Sequence, residues 1–120
     1  MASIRQQQQE SARLRVMQLL SKNPKITNRA LADSVGISNG SAFYVLQALL
    51  EKGFVKIDRF SKHPRKRQYA YLLTPKGIRE KSLLTRRFIK RKRAEYEEIL
   101  NEIELLEKEL EVFDGAQNIK

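Results

Sequence analysis

Residues 27–57 read TNRALADSVGISNGSAFYVLQALLEKGFVKI, and this stretch decides the fold. Thr27 is a suitable N-cap for a short helix, which Gly36 ends. Ser38 is a suitable N-cap for the next helix, which runs through Lys52. One face of that helix carries only small and aliphatic side chains, namely Ala42, Val45, Leu46, Leu49 and Leu50. Two short helices separated by a glycine turn are typical of a helix-turn-helix motif.

A further helix precedes this motif and a β-hairpin follows it. A capping box opens the first helix, which the apolar spacing places at about Ser3–Ser21. Apolar and polar side chains alternate as in strands at Phe54–Ile57 and at Tyr69–Leu73, and the polar residues 61–67 between them are strongly basic. A hairpin with a cationic tip directly after a helix-turn-helix motif predicts a winged helix-turn-helix domain.

A long helix closes the sequence. Thr74-Pro75 forms an N-cap and first-turn pair, and the helical pattern continues to about Phe113. At ~1.5 Å per residue such a helix is too long to pack along so small a domain. From Ile89 to Phe113 the positions at alternating steps of three and four are apolar or aromatic at all but Lys92, which predicts a coiled coil with dimer contacts at Ile89, Tyr96, Ile99, Ile103, Leu106, Leu110 and Phe113. A coiled coil needs a second helix, and the rest of the chain offers none, so we expect a homodimer.

These elements predict a mainly α (α+β) protein with three segments. Residues 1–74 form a winged helix-turn-helix DNA-binding domain with a two-stranded β wing. Residues 75–114 form a long C-terminal dimerisation helix, with the coiled coil starting at about residue 89. Residues 115–120 are expected to form a flexible tail.

The distribution of charge indicates the class of partner. The net charge is +10, and it divides into +4 over residues 1–53, +13 over residues 54–93 and −7 over residues 94–120. A strongly basic protein favours polyanionic partners, first of all nucleic acid. In a parallel coiled coil Glu102 would approach Glu107 of the second chain, which is repulsive. An antiparallel dimer would instead place the basic half of the helix against the acidic half, and we favour that arrangement.

The candidate DNA contacts fall in two groups. In a helix-turn-helix the second helix lies in the major groove, and its first turns reach the base edges. On that helix the candidates are Ser38, Asn39, Gly40, Ser41, Phe43, Tyr44 and Gln47. For the wing and the DNA backbone they are Asn28, Lys62, His63, Arg65, Lys66 and Arg67. The alternative interpretation is an ordinary polar surface and a solvated basic loop, and Phe43 fits the core as well as it fits DNA.

Several classes of protein are disfavoured by what the sequence lacks. There is no cysteine, and a single histidine, His63, without a nearby acidic cluster is a poor metal site. No apolar run has the length of a signal peptide core or of the ~18-residue span that a membrane helix needs. No phosphate loop, carboxylate pair or nucleophile with a base stands at a recognisable spacing. We expect a cytoplasmic, nucleoid-associated protein that is not an enzyme, needs no cofactor and does not bind a membrane.

The sequence also resembles a known family. Ile37 to Val55 resembles the recognition helix and following strand of MarR-type winged-helix regulators. Tyr69-Ala70-Tyr71-Leu72-Leu73-Thr74-Pro75-Lys76-Gly77-Ile78 resembles the MarR subgroup found beside exopolysaccharide (EPS) biosynthesis genes, as do Glu80-Lys81, Leu84-Thr85, Phe88 and Glu95-Tyr96-Glu97. The resemblance implies a prokaryotic regulator that binds operator DNA as a homodimer. The wing departs from that subgroup because Lys62–Arg67 is more basic and contains a proline.

The expected function is therefore sequence-specific binding of double-stranded DNA to regulate transcription, with repression as the favoured direction. Larger MarR proteins often bind small phenolic ligands beside their multi-helix dimer domain. A single helix replaces that domain here, which argues against a small-molecule ligand. Two alternatives are a non-specific architectural or chromatin-type DNA-binding protein and a protein-interaction adaptor that uses its winged head.

Overall fold

The computed structural model describes residues 3–59 and 69–117. It contains the helices α1 (Ile4–Lys22), α2 (Asn28–Val35) and α3 (Asn39–Glu51), the strands β1 (Val55–Arg59) and β2 (Tyr69–Leu73), and the helix α4 (Pro75–Gln117). The chain divides into two compact units, Met1–Thr85 and Arg86–Lys120, which we call the head and the stalk. The predicted class, mainly helical with one small antiparallel sheet, is confirmed.

Short polar side chains start each helix of the head. The hydroxyls of Ser3, Thr27 and Ser38 each accept a hydrogen bond of 3.0–3.1 Å from the backbone N–H three residues later. Each bond satisfies one of the N–H groups that the first turn of a helix leaves free. Gly36 ends α2 with a φ of +80°, a conformation that costs glycine little. The three predicted N-caps and the glycine stop are confirmed.

The core of the head lies where α1, α2 and α3 meet. Its most completely buried large side chains are Val16, Met17, Leu20, Leu31 and Leu49. Among the described residues no polar or charged side chain is buried, so this core is apolar throughout. Burying each aliphatic side chain contributes about 1.5–3 kcal/mol, which lets three short helices define one stable unit.

The two strands form an antiparallel hairpin that closes the head. Val55 pairs with Leu73, and the register continues to Arg59 with Tyr69. The N–H of Tyr71 donates to the carbonyl oxygen of Pro24 at 2.9 Å, which joins the sheet to the connection between α1 and α2. The predicted strand Phe54–Ile57 is displaced, since β1 starts one residue later and ends two residues later. Residues 60–68, which connect the two strands in the chain, lie outside the described residues.

The start of α4 is fixed by close contact with the turn that follows α3. The hydroxyl of Thr74 donates to the carbonyl oxygen of Gly53 at 2.6 Å and accepts from the N–H of Gly77 at 3.0 Å. The N–H of Thr74 donates to the carbonyl oxygen of Phe54 at 3.0 Å. A Cβ at Gly77 would overlap that same carbonyl oxygen and lie 2.8 Å from its carbon. The N-cap and first-turn roles predicted for Thr74-Pro75 are confirmed.

The stalk consists of the rest of α4. The sequence places the end of the helix near residue 114, whereas α4 continues to Gln117, and residues 118–120 lie outside the described residues. Every side chain from residue 96 to residue 116 is exposed, as is that of Ile89, so all the predicted dimer contacts are exposed in the single chain. The described helices include none with the length and apolarity that a membrane span requires.

Candidate nucleic-acid interface

Helix α3 presents one face to the core and the opposite face to solvent. Ala42, Leu46 and Leu49 are buried, and the 3.6-residue period of a helix then turns residues 40, 44 and 47 away from them. Tyr44 is 75% exposed. Such a helix can enter a major groove without disturbing its packing, because the core and the exposed face use different side chains.

The structure decides the position of Phe43, for which the sequence left two interpretations. The side chain is 55% exposed and is therefore not a core residue. Like Tyr44 it is exposed to solvent, so both aromatic rings are accessible to a partner such as thymine methyl groups or deoxyribose.

The first turn of α3 is held by polar contacts. The hydroxyl of Ser38 donates to the hydroxyl of Ser41 at 2.9 Å in addition to accepting from its N–H. The side-chain amide of Asn28, at the start of α2, donates to the carbonyl oxygen of Asn39 at 3.0 Å. The amide oxygen of Asn28 is buried, and no hydrogen-bond partner is found for it among the described residues. Asn28 therefore ties the two helices together, and only its second amide hydrogen is left for the DNA contact predicted for it.

The wing residues proposed from the sequence, Lys62, His63, Arg65, Lys66 and Arg67, lie outside the described residues. Their contact with DNA stays a prediction. The hairpin that leads to them is present, and it follows α3 directly in the chain. In the described part of the hairpin Lys56 is exposed and adds a cation on β1.

Two lysines of the basic stretch in α4 are engaged in the packing of the head. The ammonium group of Lys76 donates to the carbonyl oxygen of Lys52 at 2.9 Å and lies 5.2 Å from the centre of the Phe54 ring. That of Lys81 donates to the hydroxyl of Ser21 at 3.3 Å. Because these hydrogen bonds hold both ammonium groups against the head, the two lysines are weaker candidates for DNA contact than the exposed face of α3.

A cleft between α1 and α3 was not predicted from the sequence. It has a volume of about 570 Å³ and is lined by Arg5 and Arg13 of α1 as well as by Ser41 and Tyr44 of α3. The eight-residue spacing of the two arginines, which places them on one face of a helix, was the available signal. The cleft was not predicted because nothing in the sequence pattern of α1 indicated that this face lies beside α3.

The described residues hold no group of three or more histidine, cysteine or acidic side chains arranged to bind a metal ion. The exposed acidic side chains of the stalk all belong to one helix, α4, and form no such group.

Comparison with known proteins places this architecture. Residues 10–56 match the family model of a winged helix-turn-helix DNA-binding domain. No curated protein matches the chain. Among solved structures the chain is similar to the PcaV transcriptional regulator from Streptomyces coelicolor, solved with its natural ligand, at 21% identity and a TM-score of 0.58 over 68% of this chain and 57% of that one.

Two further solved structures show the same fold. One is ZitR from Lactococcus lactis in complex with DNA, at 22% identity and a TM-score of 0.57 over 77% of this chain and 60% of that one. The other is a MarR/EmrR family transcriptional regulator from Acinetobacter sp. ADP1, at 20% identity and a TM-score of 0.56 over 82% of this chain and 74% of that one. The chain covers less than two thirds of the length of PcaV and of ZitR.

The fold is thus that of MarR-type winged helix-turn-helix regulators. The narrower resemblance to the EPS-associated subgroup stays a prediction. The expectation that no small molecule binds is not supported, because PcaV, which has this fold, was solved with a natural ligand.

Proposed function

We propose that this chain, which has the winged helix-turn-helix fold of MarR-type regulators, is a homodimeric protein that binds specific sequences in double-stranded DNA and so regulates transcription, with repression as the favoured direction. The observation that carries the proposal is the exposed face of α3, held on an apolar core and followed directly by two paired strands, and the sequence that connects those strands is strongly basic. The match to a DNA-binding domain over residues 10–56 supports it, as does the DNA complex of ZitR. Such a function would place the protein at the nucleoid.

The reading of sequence is assigned to α3. Asn39 and Gln47 can pair with adenine through two hydrogen bonds each, and the rings of Phe43 and Tyr44 can contact thymine methyl groups. Gly40 lies between them, and a Cβ there would meet only the hydroxyl oxygen of Ser38, at 4.0 Å. The missing side chain leaves room for the DNA backbone. The basic wing residues would bind phosphates and raise affinity for every sequence alike.

Selection of binding sites from random duplexes tests this proposal and identifies the preferred operator. We expect the wild type to bind that operator at least ~10³-fold more tightly than a random duplex at physiological salt. Tyr44→Ala should reduce the preference at one base position by about 1–3 kcal/mol while leaving the thermal stability unchanged, because the side chain is exposed. Ile78→Ala is the matched control, since Ile78 is a large exposed side chain of the head outside α3. An unchanged preferred sequence in Tyr44→Ala would show that α3 is not the reading helix.

The same measurement separates the competing functions. The high net charge favours a non-specific architectural role, for which the ratio of the two affinities would be close to one. An adaptor whose winged head binds protein would not bind either duplex, even at low salt.

Dimerisation is assigned to the stalk. Its apolar seam is formed by Ile89, Tyr96, Ile99, Ile103, Leu106, Leu110 and Phe113, which are 45–61% exposed. An exposed apolar stripe of this length on one helix is expected to be covered. A second copy of the same helix fits it, because the heptad spacing matches the packing of a coiled coil.

The charges of the stalk favour an antiparallel pair. Residues 86–93 carry six basic side chains and no acidic one, whereas residues 107–114 carry four acidic side chains and one basic. Antiparallel packing about a midpoint near residue 101 places these two segments side by side and sets Ile89 against Phe113 of the second copy. Parallel packing would place the acidic segments together.

Cross-linking distinguishes the two arrangements, and the absence of native cysteine makes the result simple to interpret. We expect the double variant Ile89→Cys/Phe113→Cys to form disulfide-linked dimers in mild oxidant, because the two positions face each other across an antiparallel seam. Each single variant should stay unlinked. Efficient linkage of Phe113→Cys alone would instead show that the chains run parallel.

A further inference from the structure

The cleft between α1 and α3 is lined by both cationic and apolar side chains. Arg5 and Arg13 line it from α1, and Lys52 lines it from the end of α3. The apolar residues of the lining include Val45 and Ala48 of α3. Two glutamines of α1, Gln8 and Gln9, add uncharged hydrogen-bonding groups.

All the charged side chains that line this cleft are positive. No acidic side chain among the described residues lines it, although Glu10 lies between the two arginines in sequence and Glu51 precedes Lys52. Arg5 and Lys52 are exposed and Arg13 is half-buried, so all three charges can reach a partner at the surface. Three cations without a counter-charge in the lining favour an anionic occupant.

The cleft is continuous with the face of α3 assigned to DNA. Gly40, Ser41 and Tyr44 are candidate DNA contacts, and the same three residues line the cleft. If the major groove of a duplex holds α3, a strand that borders this groove would pass the cleft. That strand would supply phosphates for the cations and deoxyribose for the apolar side chains.

We propose that the cleft is a second contact with the same duplex, in which Arg5, Arg13 and Lys52 bind phosphates of the strand that borders the groove read by α3. This inference rests on the proposed function. It adds α1 to the elements that hold DNA, beside α3 and the wing. The contact strengthens binding to every sequence and positions α3 without itself reading bases.

The double variant Arg5→Ala/Arg13→Ala tests the proposal by fluorescence anisotropy with the selected operator over a range of salt concentrations. Each lost phosphate contact lowers the slope of log K against log salt by about 0.9, so the slope should fall by about 1.8 per subunit. The affinity at ~0.1 M salt should fall at least tenfold. A slope of ~0.9 makes each contact worth about eightfold in affinity at ~0.1 M salt relative to ~1 M. Arg5→Lys/Arg13→Lys should restore most of the slope because it keeps the charges.

Arg15→Ala is the matched control. Arg15 is an exposed cation of α1 that does not line the cleft, so its loss should change the slope much less. If the double variant changed the slope by no more than twice the change seen in Arg15→Ala, the cleft would not contact DNA and the inference would be wrong. A wild type that bound no duplex at low salt would overturn the proposed function itself. The two failures are thus distinguishable.

Discussion

The stalk variant Ile99→Asp/Ile103→Asp is expected to be monomeric and to bind a two-half-site operator at least a hundredfold more weakly than the wild type. Both side chains lie on the apolar seam of α4 and are about half exposed in the single chain. In a dimer each would be buried, and a carboxylate there would lose its hydration without gaining a partner. A monomer also loses the gain of about 10²–10⁴ that two linked binding modules obtain from their effective concentration. Sedimentation and anisotropy measure the two effects.

Leu105→Asp is the control for that experiment. Leu105 is 63% exposed on the same helix, but the 100° step per residue places it on the opposite side from Ile103. It should leave both the dimer and the operator affinity close to those of the wild type. A dimeric Ile99→Asp/Ile103→Asp variant, or a monomer with unchanged operator affinity, would contradict the role assigned to the stalk.

The second large effect is expected at Gly77, where α4 passes the backbone of Phe54. Gly77→Ala should lower the free energy of unfolding of the head by several kcal/mol, on the order of 2–4, as other overpacked or strained positions do. The added methyl group would meet backbone atoms of Phe54, one of them 2.8 Å away, and backbone cannot move aside as a flexible side chain can. Either α4 or the turn after α3 must shift, and the hydrogen bonds of Thr74 would be strained. Chemical denaturation followed by circular dichroism measures the loss.

Gly115→Ala provides the comparison. Gly115 also lies in α4, and a Cβ there meets nothing within 4 Å. Because alanine favours a helix by up to ~1 kcal/mol over glycine, this variant should be as stable as the wild type or slightly more stable. Equal stability of Gly77→Ala and Gly115→Ala would show that the contact with Phe54 does not constrain residue 77.

Local signals predicted much of the fold. Ser3, Thr27 and Ser38 each start a helix, and Gly36 ends one, because a cap or a left-handed residue acts on neighbours within one turn of the chain. The strand Tyr69–Leu73 was predicted with its observed bounds, since it stands between a polar loop and the Thr74-Pro75 pair.

Features that depend on distant parts of the chain were not predictable in this way. Phe43 fitted two positions in the helical pattern, and only the packing of three helices shows that the ring is exposed. The pairing of α1 with α3 that forms the cleft joins residues about thirty positions apart, and no periodicity of either helix reports it. The close approach of Gly77 to Phe54 likewise exists only once α4 has docked.

The double use of one hydroxyl at the start of α4 restricts which sequences can share this fold. The side chain of Thr74 must donate a hydrogen bond to the carbonyl oxygen of Gly53 and accept one from the N–H of Gly77. Serine can make both bonds, whereas valine, of nearly equal shape to threonine, can make neither. Related chains should therefore vary in sequence at many surface positions while keeping a hydroxyl residue three places before a glycine. That pair would help to identify distant relatives when little other sequence identity remains.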